Sequence, residues 1–128
     1  MRMKTALAVV GLGLFLVLTG CGFFHQDELP AEMYGVWRTS APGYEDRFLQ
    51  LKKGFVIFGV GNEKAVAQHI RAVKALQVGP ETLYTVSSEE VGGDASEMNF
   101  YYNPAHGGSI RFKNQEDLVW KKEGGPAD

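Results

Sequence analysis

The 128-residue sequence predicts an all-β domain, an antiparallel up-and-down meander of about eight short strands. Two observations carry this expectation. Chain breakers recur at Ala41-Pro42-Gly43, Lys53-Gly54, Gly59 to Asn62, Gly79-Pro80, Gly92-Gly93-Asp94, Pro104 to Gly108 and Asn114 to Asp117. These separators define segments at a spacing of roughly eleven residues, the rhythm of strands and turns in a sandwich or barrel. Within segments the period is often two, as strands require. Met98, Phe100 and Tyr102 alternate with Asn99, Tyr101 and Asn103; Ile110 and Phe112 alternate with Arg111 and Lys113.

In chain order, the first segment carries Tyr34-Gly35-Val36-Trp37 and the second begins near Tyr44. The third, Phe55 to Phe58, runs into Gly59-Val60-Gly61 and raises a competing reading, the phosphate-binding turn of a dinucleotide site. That fingerprint needs glycine or alanine where Lys64 stands, and an acid at the end of a second strand about twenty residues on. Glu81 falls near that distance but sits in a Gly-Pro-Glu turn. The G-V-G is therefore read as a loop between strands. The fourth segment, residues 65–77, is ambiguous. Val66, Ile70, Val73 and Gln77 share helical spacing, and its alanines favour helix. As a strand it would put His69, Arg71, Val73, Ala75 and Gln77 on one face, and Ile70, Ala72, Lys74 and Leu76 on the other. Context favours a long strand, with one short helix near residues 65–70 as the alternative. Leu83 to Val86 is β-branched and aromatic, as strands prefer, and Leu118 to Lys122 closes the pattern.

The N-terminus fixes the compartment. Arg2 and Lys4 precede Ala6 to Leu18, an unbroken run of apolar residues and glycine. A basic start and an apolar stretch of this length make a secretory signal, too short to span a bilayer as a helix. Leu18-Thr19-Gly20-Cys21 follows and resembles the lipobox of bacterial lipoproteins. The resemblance implies cleavage after Gly20, leaving residues 1–20 as a removed signal peptide. It also implies a diacylglycerol on the Cys21 thiol with further acyl chains such as palmitate, so that Cys21 is the lipidation site. Gly22, where an aspartate would mark retention, implies delivery to an outer membrane facing the periplasm if the organism has one. Cys21 is the sole cysteine, which excludes a disulfide framework and a cysteine metal site. Residues 21–32 read as lipidated cysteine and flexible tether, residues 33–123 as the domain, and residues 124–128 as a disordered tail.

Removing residues 1–20 takes Arg2 and Lys4 from the thirteen basic residues, leaving eleven against fifteen acids and a net charge near −4. That balance speaks against nucleic acid or an anionic bilayer face as partner.

The Gly35-Val36-Trp37 triplet at the start of strand one, in an eight-segment antiparallel pattern, resembles lipocalin-like domains. The resemblance implies a small barrel whose glycine and tryptophan face inward and close one end, with a basic residue of the last strand across the indole. Lys121 and Lys122 stand at that place, where the family more often has arginine.

Catalytic and metal chemistry is not expected. His25, His69 and His106 form no ligand spacing. Glu45-Asp46 and Glu89-Glu90 are neighbours that a strand points to opposite faces, and Ser87-Ser88 lacks a nucleophile-elbow context. The expected function is a non-catalytic, membrane-anchored binding module for a small apolar or amphipathic ligand, with Trp37, Tyr84 and Tyr102 as candidate ligand-binding residues. The alternative is a filled barrel acting as accessory subunit or inhibitor of another envelope protein. An eight-strand interior is either just filled by side chains or holds one small ligand, and the supply of aromatics favours a dry core with any pocket at one end.

Overall fold

A computed structural model describes the backbone of residues 24–26 and the whole of residues 28–90 and 92–124. Residues 1–23, with the expected signal peptide and Cys21, and residues 125–128 lie outside the described part. The chain forms strands β1 (Phe24–Gln26), β2 (Gly35–Thr39), β3 (Arg47–Lys52), β4 (Phe55–Gly61), β5 (Lys64–Val78), β6 (Glu81–Glu90), β7 (Ala95–Asn103), β8 (Ser109–Phe112) and β9 (Gln115–Lys122). Two short 3-10 turns, Ala31–Met33 and Ala105–Gly107, are added. Strands β2 to β9 pair in sequence, all antiparallel, and β9 returns to β2 with Trp37 opposite Lys122. The eight strands thus close into an up-and-down meander barrel, the small lipocalin-like form. β1 lies outside the cycle. It pairs with the second half of β5, Phe24 against Ala75 and Gln26 against Val73.

The fourth segment is strand from end to end; no helix forms near residues 65–70. Its mixed pattern has a local cause. Between Ile70 opposite Ser88 and Ala72 opposite Ser87 the ladder gains one residue, Arg71, a β-bulge. The bulge inverts parity, so even residues face inward before it and odd residues after it. Ile70, Val73 and Ala75 are all buried, although a regular strand would place Ile70 opposite the other two.

Gly59 and Gly61 belong to β4, not to a loop; the turn is Asn62-Glu63, both left-handed at φ 55° and 59°. Such a pair matches the twist of a two-residue hairpin. Gly59 is required for another reason. It pairs with Phe48, whose ring lies flat on it, and a Cβ added there would sit 2.2 Å from ring carbons. Arg38 covers that ring 5.6 Å from its centroid. The β8–β9 turn likewise falls at Lys113-Asn114, before the separator read at Asn114 to Asp117.

Inward residues fill the barrel. Trp37, Leu51, Val56, Val86, Phe100 and Ile110 are completely buried, with Leu49, Val73 and Tyr84 beside them. The packed part also starts earlier than Met33. Residues 28–32, read as part of a tether, place Leu29 in the core beside Met33. The 3-10 turn Ala31–Met33 is pinned across the barrel end by three polar contacts. Trp37 Nε1 donates to the Met33 carbonyl at 2.9 Å, Lys122 Nζ to the Glu32 carbonyl at 2.8 Å, and the Tyr102 hydroxyl to Glu32 Oε2 at 2.9 Å. The tether composition concealed a plug.

Candidate functional site

In a meander the turns alternate between ends. The β3–β4, β5–β6 and β7–β8 connections share the plugged end; the β2–β3, β4–β5, β6–β7 and β8–β9 turns form the other. The plugged end holds every ligand-binding candidate of the sequence reading. Trp37 is fully buried and meets Tyr102 edge-on at 6.2 Å. Tyr84 and Tyr102 are buried too, at 6% and 7% exposure, so neither forms a wet rim. Burial and then the hydrogen bond to Glu32 raise the Tyr102 hydroxyl above its ordinary pKa of 10.0. Tyr84 is raised by burial and then by the Glu32 charge. Lys122 stands beside Trp37 in the ladder, but its stem crosses Gly35, where a Cβ would lie 2.9 Å from Lys122 Cε. Its ammonium caps the plug instead of the indole, and Lys121 reaches the His106 carbonyl at 3.4 Å.

The accessible concavity lies at the opposite end, and strand length creates it. β7 pairs with β6 from Ala95 to Tyr102, whereas four-residue β8 covers β7 only from Phe100 to Asn103. The Lys113 amide adds a bond to the Asn99 carbonyl at 3.0 Å. Beyond it, β7 overhangs the β8–β9 turn and leaves a cleft of about 500 Å³. Phe58, Met98 and Phe112 supply its apolar surfaces; Glu97, Asn99, Lys113, Asn114 and Gln115 supply polar ones. Behind Phe112 stand Trp120, edge-on at 6.1 Å, and Tyr44, which meets Trp120 at 6.4 Å. The Trp120 indole N–H is buried without an acceptor among the described residues. Such an orphan weakens this end, since a buried unsatisfied donor costs about 1–3 kcal/mol.

A second hollow of about 510 Å³ opens at the β5 bulge between Arg71, Ser87, Ser88, Ala95, Ser96 and Glu97. Below it Gln68 Oε1 accepts from Ser88 at 2.5 Å and from Ser96 at 2.8 Å, which satisfies the buried Ser88. The first cleft is better suited to a ligand because Phe58, Met98 and Phe112 line it beside polar groups, whereas no large apolar side chain lines the second.

The cleft end is also acidic. Its four turns carry Glu45-Asp46, Glu63, Glu89-Glu90 with Asp94, and Glu116-Asp117, against Arg47, Lys64 and Lys113 nearby. Of the groups considered for chemistry, Glu89 is paired with Arg71 at 3.1 Å, Glu45 accepts from the Gly43 amide at 3.2 Å, and His69 lies against the Phe55 ring at 5.3 Å. Among the described residues no group of three or more His, Cys, Asp or Glu could hold a metal ion, and no helix is long and apolar enough to cross a membrane.

The cleft residues escaped the sequence reading, yet one signal was present. The segment between Gly108 and Asn114 holds five residues where the one before it, Ala95 to Asn103, holds nine, and a short strand beside a long one must leave an overhang. No protein-family model, no curated protein and no solved structure matches the chain.

Proposed function

We propose that the chain is a non-catalytic lipoprotein of the cell envelope, anchored through lipid on Cys21, whose filled barrel acts on another envelope protein as accessory subunit or inhibitor. The observation that carries this reading is the packed interior. Aromatic and aliphatic side chains occupy it, Trp37, Phe100 and Ile110 at zero exposure, and the better suited of the two hollows described is the rim cleft. A cleft of that kind receives a side chain or short segment of a partner, and the acidic turns around it favour a partner with a basic face. The apolar floor of Phe58, Met98 and Phe112 supports a second reading, a small amphipathic ligand seated at the rim. A lipocalin-like ancestry rests on the G-x-W triplet together with the closed eight-strand meander.

A photoreactive amino acid at Gln115, introduced in living cells, tests the proposal. It should give one discrete protein adduct that disappears when Glu97→Lys, a charge reversal in the cleft lining, is added and is absent when the probe sits at exposed Val119 on the outer wall. A small-molecule adduct without any protein adduct would favour the second reading. Cys21→Ser should abolish both processing after Gly20 and labelling by radioactive palmitate; equal labelling of the variant would refute the anchor.

A further inference from the structure

The position of β1 relates the anchor to the barrel. β1 is antiparallel to β5, so its Phe24 end points the way β5 runs, toward the β5–β6 turn at Gly79-Pro80. Cys21 precedes Phe24 by three residues, which span at most about 10 Å of chain. The same number of residues separates Ala75, the partner of Phe24, from Val78 at the tip of the hairpin. An acylated Cys21 therefore attaches at the end of the molecule that carries this tip and the plug, whereas the cleft is at the opposite end.

The charges divide the same way. Lys52 and Lys53 flank the β3–β4 turn, Lys74 lies on the β5 arm of the hairpin, and Lys121 ends β9. Against these lysines, Glu81 is paired with Arg111 at 2.6 Å and Glu123 with Arg38 at 2.7 Å, while Glu28 is exposed and Glu32, bonded to the neutral Tyr102 hydroxyl, keeps its charge. Val78, at the hairpin tip, is 42% exposed. The net charge near −4 conceals this polarity, because the surplus of acids is on the turns around the cleft.

We propose that the barrel stands on the bilayer by its plugged, lysine-bearing end, with Val78 and the β5–β6 turn at anionic headgroups and the cleft directed into the aqueous compartment. This rests on the anchoring of Cys21 proposed above. Each lysine near an anionic surface adds to the attraction, and the acidic turns are repelled from the same surface. The tether alone would hold the domain nearby in any orientation; the charge polarity selects one.

The test uses the full lipidated protein in vesicles of phosphatidylethanolamine and phosphatidylglycerol containing a headgroup nitroxide lipid. Acylation blocks Cys21, so a single introduced cysteine takes a fluorophore. Val78→Cys and Asn114→Cys replace exposed residues at opposite ends, and Asp94→Cys gives a second site at the cleft end. The Val78 conjugate should lose most of its fluorescence, and the other two should keep theirs. Adding Lys52→Glu, Lys53→Glu and Lys74→Glu together should reverse the Val78 loss. Equal quenching of all three sites, stronger quenching at Asn114, or no effect of the lysine changes overturns the orientation. Failure of the protein to float with the vesicles overturns the anchor itself, and the orientation with it.

Discussion

At one end of the barrel Met33, Trp37 and Tyr102 lock a 3-10 turn across the opening, and the polar atoms of that turn and of the indole find partners. At the other, the strands run to unequal lengths, Phe58, Met98 and Phe112 are only partly covered, and the Trp120 N–H is buried without an acceptor among the described residues. The same meander builds both ends, so the difference does not come from topology. It comes from what crosses the opening. A segment of a few residues, Leu29 to Met33, supplies one end with a lid and with acceptors for Trp37, Tyr102 and Lys122. The opposite end has turns alone, and its acids repel one another. Stability is concentrated where the chain returns upon itself, and the proposed recognition falls to the end that does not close.

Truncating Trp37 tests the closed end most severely. Trp37→Ala removes a fully buried indole and its bond to Met33, and should cost about 3–5 kcal/mol of unfolding free energy. That is a large share of the about 5–15 kcal/mol available to a domain. Phe112→Ala, at the partly covered end, should cost clearly less in the same urea titration. Equal losses would erase the distinction between the ends.

Gly59 asks whether the outer wall is as tightly fitted as the plug. A methyl group there meets the Phe48 ring, so Gly59→Ala should cost about 1–3 kcal/mol, as overpacking does. In the double variant with Phe48→Ala, most of that loss should vanish. Additive losses in the thermodynamic cycle would place the strain elsewhere.

The bond from Tyr102 to Glu32 gives the closed end a pH signature. Its pKa is raised in the folded state, so the folded chain holds this proton more tightly than the unfolded one. The contribution is complete below the ordinary value of 10.0 and is lost as pH rises beyond it. Denaturant midpoints of the native chain should therefore fall more steeply above that pH than those of Tyr102→Phe. At neutral pH the substitution itself should cost about 1 kcal/mol. Parallel profiles would mean that the plug does not depend on this hydroxyl.

Glu97→Lys, at the cleft, should leave stability within about 0.5 kcal/mol while eliminating the cross-link from Gln115. A destabilisation comparable to that of Tyr102→Phe would make the cleft wall a structural element rather than a recognition surface.

How far the sequence disclosed these two ends follows from the kind of signal each leaves. Glycine and proline spacing marked the eight strands, because each turn needs its own local chemistry and that chemistry does not depend on distant residues. The inward alternation of Met98, Phe100 and Tyr102 was equally local. Residues 65–77 resisted because the bulge at Arg71 breaks a period that both the strand and the helix readings assume to be constant. Tyr84 and Tyr102 stand among the ligand-binding candidates because tyrosine is amphipathic, and nothing in Gly22 to Glu32 announces that its last residues will roof them. The plug is a tertiary event: Pro30 and the acids around it look like a linker until Leu29 and Met33 find the barrel. The cleft depends on the difference between two strand lengths, a property of neither strand by itself.

The central claim, a filled barrel that recognises rather than carries, is most directly tested by native mass spectrometry of the full protein purified from its own membranes in mild detergent. The account predicts the mass of the chain from Cys21 onward plus its covalent acyl groups, with no small molecule retained. A stoichiometric non-covalent adduct of small mass, lost on gentle activation, would contradict it and make the protein a carrier.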